Sequence, residues 1–343
     1  MPNEVLTEAI DRVASGADLS VDDAARVMRE LMEGRASDVQ GAAFLIALRT
    51  KGETVEELTG FARTMRELSR RVEVSGDDLL DTAGTGGGPQ TFNVSTTAAI
   101  VAAGAGCRVA KHGNRSSTGK SGSADLLEAL GANLDLEPAA IAQCIDEIGF
   151  GFMFAPHHHS AMRHVIPVRK ELAVRTLFNF LGPLTNPAGA TRQVIGISDP
   201  TKLQPVAEAL CALGCRSGLV VSSTDGLDEI SASAETRIVE VGEGEVASFN
   251  VSPRELGVEP VDFGLLRSGT PERSAEIARG VLRGEKGAER SLTLLNAGAA
   301  IYVGGKAGSI ADGVLKAAQA IDSGAALDVL ETYVRRSREL ATA

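Results

Sequence analysis

The stretch Leu79-Leu80-Asp81-Thr82-Ala83-Gly84-Thr85-Gly86-Gly87-Gly88-Pro89-Gln90-Thr91-Phe92-Asn93-Val94-Ser95-Thr96-Thr97 sets the architecture. Two leucines enter a short strand. Glycines at 84, 86, 87 and 88 open a loop, and Asn93 with Ser95, Thr96 and Thr97 begins an Ala-rich helix over about 95–105. Glycines let successive backbone N–H groups converge on an anion, and the unpaired N–H groups of a helix start favour phosphate. A tight turn with an N-cap needs fewer glycines than this. A dinucleotide fingerprint fails, because the sixth position counted from Gly84 is Pro89 where glycine belongs.

The grammar then repeats. A strand at 108–110 leads into a polar loop at 111–121, Lys111-His112-Gly113-Asn114-Arg115-Ser116-Ser117-Thr118-Gly119-Lys120-Ser121, and a helix follows from Ser123 to about Leu130. Strand, functional loop and helix in succession predict an α/β domain with ligands at strand C-terminal ends. The second loop carries three cations among hydroxyls and glycines, which suits a polyphosphate. It misses the P-loop pattern, since five residues rather than four separate Gly113 from Gly119.

Outward from this centre, the first seventy residues read as helices. Ser20 with Asp23 starts one that stops at Gly34. Asp38 starts a second that reaches Gly52. Thr54 with Glu57 forms a capping box for a third, with apolar Leu58, Phe61, Met65 and Leu68. Downstream, 218–222 is a buried strand, and 237–241 with 245–250 flank Gly242-Glu243-Gly244 as a hairpin. The apolar run 299–303 and helices over about 310–321 and 326–340 close the chain. The expected fold is a large α/β domain with a central, mostly parallel sheet, plus a small all-helical domain. The helical part is expected over residues 1–71 and the α/β part over 72–343.

Composition bounds the function. The net charge of −11 argues against a nucleic-acid or anionic-membrane partner. The four cysteines form no CxxC pair and read as reduced, buried thiols. No apolar run reaches the ~20 residues that span a bilayer, and no secretory leader opens the chain, so the cytoplasm is the expected compartment.

Two further segments carry chemistry. Asp228-Glu229 follows the 218–222 strand; adjacent acids at a strand end suit Mg²⁺, which takes one or two carboxylates plus substrate phosphates, or a solvated acidic turn. His157-His158-His159 and His164 lack helical ligand spacing and an intervening carboxylate or cysteine, which argues against zinc. Arg169, ahead of the stiff 178–187 segment with its Gly182-Pro183 and Asn186-Pro187 pairs, looks like a shaped wall bearing one carboxylate-binding arginine.

Taken together, Gly84-Thr85-Gly86-Gly87, Asn93-Val94-Ser95-Thr96, Lys111-His112-Gly113-Asn114-Arg115, Asp228-Glu229 and the 179–187 stretch preceded by Arg169 resemble the anthranilate phosphoribosyltransferase family over the whole chain. The resemblance implies transfer of the phosphoribosyl group of phosphoribosyl pyrophosphate (PRPP) to anthranilate, in tryptophan biosynthesis. It implies a helical domain completed by about 165–190, and a homodimer joined through that domain. It assigns PRPP to Gly84, Gly87, Asn93, Val94, Ser95, Thr96, Lys111, His112, Gly113, Asn114, Arg115, Ser116, Ser117, Thr118, Gly119 and Ser123. Anthranilate falls to Gly84, Asn114, His159, Arg169, Gly182 and Pro183, with His112 beside them as a late proton acceptor. Mg²⁺, expected as two ions, falls to Ser95, Asp228 and Glu229. Two positions depart from the family pattern: Gly88 stands where an Asp is usual, in a loop one residue shorter, and Ser160 where a Pro is usual. The rival readings are a nucleoside phosphorylase of the same fold and a non-catalytic PRPP- or nucleic-acid-binding relative.

Overall fold

The computed structural model describes residues 1–116, 119–266 and 269–341. Four helices open the chain: α1 (Glu4–Ala14), α2 (Val21–Met32), α3 (Asp38–Lys51) and α4 (Val55–Glu67). Each begins at a side chain that accepts a backbone N–H three residues on: Asn3 from Leu6, Ser20 from Asp23, Ser37 from Gln40 and Thr54 from Glu57. Such caps satisfy N–H groups the helix cannot. Glu57 completes the capping box, accepts Leu19 N–H at 3.0 Å and pairs with Lys51 at 3.0 Å, so its buried charge is fully engaged.

The α/β part then runs β1 (Leu79–Gly84), α5 (Val94–Gly104), β2 (Arg108–Gly113), α6 (Ser123–Ala129), α7 (Pro138–Ile148), β3 (Phe150–Phe154), α8 (Ala155–His158), α9 (Ile166–Leu172), α10 (Phe178–Leu181), β4 (Arg192–Gly196), α11 (Leu203–Ala212), β5 (Ser217–Ser223), β6 (Thr236–Gly242) and β7 (Glu245–Val251). Helices α12 (Pro271–Leu282), α13 (Ala288–Val303), α14 (Ile310–Asp322) and α15 (Ala325–Ala341) finish it. The seven strands lie in the order β3-β2-β1-β4-β5-β6-β7. The first five pair in parallel, and the β6–β7 hairpin joins antiparallel. The sequence reading of a mostly parallel sheet with an N-terminal helical bundle therefore matches the architecture.

The chain winds outward from β1 to β3, then crosses back to lay β4 on the other side of β1. That reversal opens a crevice beyond the carboxyl ends of β1 and β4, where open α/β sheets bind ligands. The apolar run at 299–303 is the end of α13, a largely buried helix packed against α5 and α14. Strand β2 runs through Lys111, His112 and Gly113, which the sequence reading had placed in a loop. These polar residues stay in the sheet because each finds partners there: Lys111 Nζ donates to Thr82 O at 2.5 Å, and His112 N–H to Asp81 Oδ1 at 3.1 Å. Val165, Val168, Leu177, Phe178, Leu181 and Leu184 share one buried cluster with the four N-terminal helices and with α11.

Candidate active site

Gly84 and Gly196 face each other at the end of the central β1–β4 pair. Neither position has room for a side chain, because a Cβ would stand 2.5 Å from Asp228 Oδ2 at Gly84 and 1.6 Å from Asp228 O at Gly196. The turn after β5 fills that gap, and Asp228 Oδ2 accepts the Gly86 N–H at 2.7 Å. Gly86 and Gly87 adopt φ of 63° and 94°, the left-handed region that favours glycine. A Cβ on Gly88 would lie 2.3 Å from Gly226 O, so the loop lies flat against the Asp228 turn.

The cleft so formed encloses about 630 Å³. One wall is the glycine loop and the first turn of α5. The other is the end of β2 with residues 114–116 and 119–123, and Asp228, Glu229, Arg175 and Asn179 close the remaining side. Asn93 stitches the two loops together: its Nδ2 donates to Ser121 O at 3.0 Å, and its Oδ1 accepts Ser121 Oγ–H at 2.8 Å. Asp125 of α6 fixes the second loop by accepting N–H groups of Ser116 and Gly122 at 3.1 and 2.8 Å.

Of the residues singled out from sequence, Gly84, Gly87, Asn93, Val94, Ser95, Lys111, His112, Gly113, Asn114, Arg115, Ser116, Gly119, Ser123, Asp228 and Glu229 line this cleft. Ser117 and Thr118 lie outside the described residues. Thr96, next to Ser95 in the first turn of α5, is wholly buried and does not line the cleft. Arg115 turns its guanidinium toward Asp125 and Glu128, at 3.1 and 2.5 Å, and over the Phe154 ring at 5.4 Å. Lys111 is 1% exposed. Besides Thr82 it approaches Ser95 Oγ at 3.4 Å. Burial lowers its pKa, and the Asp81 and Glu229 charges oppose that fall.

Burial raises the Asp228 pKa and pushes Glu229 well above the carboxylate range, with the Asp228 charge adding to the latter. Lys111 and the Ser95 backbone N–H act against the Glu229 shift. Ser95, Asp228 and Glu229 thus meet at one spot. Two adjacent, partly buried acids with no ion pair among the described residues suit a divalent cation shared with substrate oxygens.

A second group lies beyond the end of β2. The His112 and His159 rings stand 5.1 Å apart at 59°. Among the described residues no group meets hydrogen-bond geometry at His112 Nε2 or at either His159 ring nitrogen, although the Thr185 backbone lies close enough to His159 to favour its protonated form. Burial, with neighbouring histidines, holds His112 well below its usual pKa and pushes His159 down to about 4, so both rings are neutral at pH 7. Gly182 and Pro183 start the 3₁₀ turn Gly182–Thr185, and Pro183 O accepts Gln193 Nε2–H at 2.8 Å. Arg169, half-buried on α9, lies over the Phe178 ring at 5.4 Å and has no ion-pair partner among the described residues. Neither His159, Arg169, Gly182 nor Pro183 lines the 630 Å³ cleft itself.

Sequence reasoning missed Arg175. Its guanidinium donates to Gly86 O at 2.9 Å and Thr85 O at 3.3 Å. Its only signal was proximity to Arg169 and to the 178–187 segment.

A glycine loop on a helix N-terminus, faced across a switch-point crevice by a cationic loop and an acid pair, suits a transferase of phosphorylated sugars. Comparison with known proteins agrees with that class. Residues 7–69 match the helical bundle domain of the glycosyl transferase family, and residues 76–327 match its a/b domain. The chain is 51% identical to the anthranilate phosphoribosyltransferase of Rubrobacter xylanophilus, over 98% of this chain and 99% of that one. It superposes on the crystal structure of anthranilate phosphoribosyltransferase from Thermus thermophilus with a TM-score of 0.92 at 46% identity, covering 96% of this chain and 99% of that one. The Saccharomyces cerevisiae enzyme in complex with PRPP and Mg superposes at 0.88 with 28% identity, over 98% of both chains. The chain belongs to the anthranilate phosphoribosyltransferase family.

Proposed function

We propose that this chain transfers the phosphoribosyl group of PRPP to the amine of anthranilate, giving N-(5-phosphoribosyl)anthranilate and pyrophosphate in tryptophan biosynthesis. The observation that carries the reading is the single cleft joining the glycine loop, the α5 N-terminus, the second loop and the Asp228-Glu229 pair. The backbone N–H groups of Gly87 and Gly88 and the first turn of α5 hold phosphate oxygens. Asn93, Ser95 and the second loop orient the ribose and pyrophosphate, so that the reactants meet in order. As the anomeric C–O bond breaks, positive charge builds on the ribose and negative charge on pyrophosphate. Mg²⁺, as two ions held by Asp228, Glu229 and Ser95, supplies charge neutralisation for the leaving group.

Anthranilate enters from the His112–His159 side. Unpaired Arg169 faces its carboxylate, and Asn114 and the Gly182-Pro183 backbone line its path. The amine attacks while neutral, so no strong base is needed. Once the C–N bond has formed, the nitrogen is an acidic anilinium, and the free lone pair of neutral His112 Nε2 accepts its proton. The nucleoside phosphorylase reading gains no support from an acid pair placed for a divalent cation.

The helical domain, residues 1–71 with about 165–190, carries the proposed homodimer surface. Val39 and Ile46 are 78% and 38% exposed. With exposed Ala43 they form one stripe along α3, next to exposed Ile166 of α9. Sedimentation should then find twice the 35.6 kDa chain mass. Among the described residues no helix is long and apolar enough to cross a membrane, and all four cysteines are free. Both facts suit the proposed cytoplasmic setting.

The test is Asp228→Asn with Glu229→Gln. Turnover should collapse, and raised Mg²⁺ should restore part of it by mass action. An unchanged Mg²⁺ dependence would remove the acid pair from the metal site.

A further inference from the structure

Arg175 lies in the link between α9, which bears Arg169, and α10, which bears Asn179. Helix α9 ends at Ala173 in the left-handed region, φ 51° and ψ 24°, which turns the chain toward the glycine loop. The guanidinium then spans two consecutive carbonyls of that loop, Thr85 O and Gly86 O. Gly86 is the residue whose N–H holds Asp228 Oδ2, so one peptide unit separates the arginine from the proposed metal carboxylate. The Arg175 charge itself favours ionised Asp228. Among the described residues Arg175 has no carboxylate at ion-pair distance, and its guanidinium lies 6.0 Å from the Phe180 ring. A Cβ on Gly87 would stand 1.8 Å from Arg175 Nη1, so the guanidinium lies directly against the loop. Ser198 Oγ–H is a second donor to Gly86 O, at 2.9 Å.

We propose that Arg175 is a positioning residue for the transfer. From the segment that carries the acceptor-side Arg169, it latches the glycine loop so that Gly86 N–H stays on Asp228 and the rest of that carboxylate faces the cleft. The latch ties the acceptor side of the site to the PRPP and Mg²⁺ side. This rests on the functional reading above. A planar fork is what two adjacent carbonyls require, and lysine, a point charge with one ammonium, cannot reproduce it.

The experiment compares wild type, Arg175→Gln and Arg175→Lys by steady-state kinetics, thermal melting and amide hydrogen exchange over residues 82–92. Losing a charge-assisted contact predicts that R175Q raises the KM for PRPP and the half-activating Mg²⁺ concentration about tenfold or more. The KM for anthranilate should change less than about threefold. R175K should recover only a minor part of the loss, and exchange should quicken over 82–92 in both variants while the melting temperature stays near that of wild type. Wild-type Mg²⁺ and PRPP dependence in R175Q, full rescue by R175K, or an equal loss for both substrates with a lowered melting temperature would each overturn the latch. If R175Q fails to fold, Ser198→Ala carries the same test with a smaller effect in the same direction. If wild type consumes no anthranilate, the functional reading falls, and the exchange arm alone still decides the latch: unchanged exchange overturns it.

Discussion

Arg169 is the residue whose surroundings say most about the acceptor. A half-buried guanidinium over an aromatic ring and without an ion pair holds an unspent charge. The anthranilate carboxylate is remote from the bond that forms, so an arginine facing it helps ground state and transition state alike. Removing a charge-assisted contact costs roughly 1.5–3 kcal/mol. Arg169→Ala should therefore raise the anthranilate KM about ten- to a hundredfold, with kcat and the PRPP KM little altered. Kinetics with each substrate varied in turn decide it, and an unchanged anthranilate KM removes Arg169 from the acceptor site. His159 makes a second claim at this scale. Its pKa falls from 6.5 in the unfolded chain to about 4. The unfolded state then binds the extra proton between those values. The stability His159 contributes is complete above pH 6.5 and is lost as pH falls toward 4, about 3 kcal/mol in all. Thermal melting of wild type should steepen downward from pH 6.5 to 5, and His159→Asn should flatten that slope; parallel profiles would contradict the assignment. The sequence showed that these histidines are not spaced for zinc. It could not show that the ring of His159 stands beside that of His112, because that contact is made only when β2 and the segment after β3 come together.

The glycine loop is the element on which the site depends, and its most telling position is Gly88. The Asp that the resemblance leads one to expect at this position would need space that Gly226 O occupies here. Such overpacking costs roughly 1–3 kcal/mol. Gly88→Asp should therefore not improve the enzyme; it should lift the loop from the Asp228 turn and raise the PRPP KM about tenfold. A lowered PRPP KM, measured at saturating anthranilate, would show that the loop has room to accept the acid. The strand–loop–helix grammar around residues 79–97 was legible because its signals are local: leucines into a strand, glycines in the turn, hydroxyls at the helix start. The capping box at Thr54 and Glu57 was legible for the same reason. Strands β3 and β4 were not read, because a five-residue strand buried on both faces shows no alternation. Lys111 and His112 looked like loop residues because their partners, Thr82 and Asp81, lie about thirty positions earlier in the chain. Arg175 left almost no trace in sequence, since its role consists of two backbone carbonyls far away in the chain.

At the scale of the whole molecule, the reversal of strand order at β1 and β4 opens the crevice on which the glycine loop, the second loop and the acid pair converge. The helical part shares a buried cluster with α11 and with Ile195, Val220 and Val239 of the sheet. Arg66 of α4 donates to Leu184 O at 2.7 Å and Leu213 O at 3.1 Å, and Val72 N–H donates to Pro187 O at 3.2 Å. The segment after α9 thus belongs mechanically to the helical side while reaching the glycine loop through Arg175. The central claim is that this crevice joins anthranilate to the ribose of PRPP. It is tested most directly by following anthranilate fluorescence in the purified protein. The account predicts that the signal falls only when PRPP and Mg²⁺ are both present, with one pyrophosphate released per anthranilate consumed. Undiminished fluorescence with PRPP and Mg²⁺ at saturation, alongside phosphate-dependent cleavage of thymidine or uridine, would contradict it.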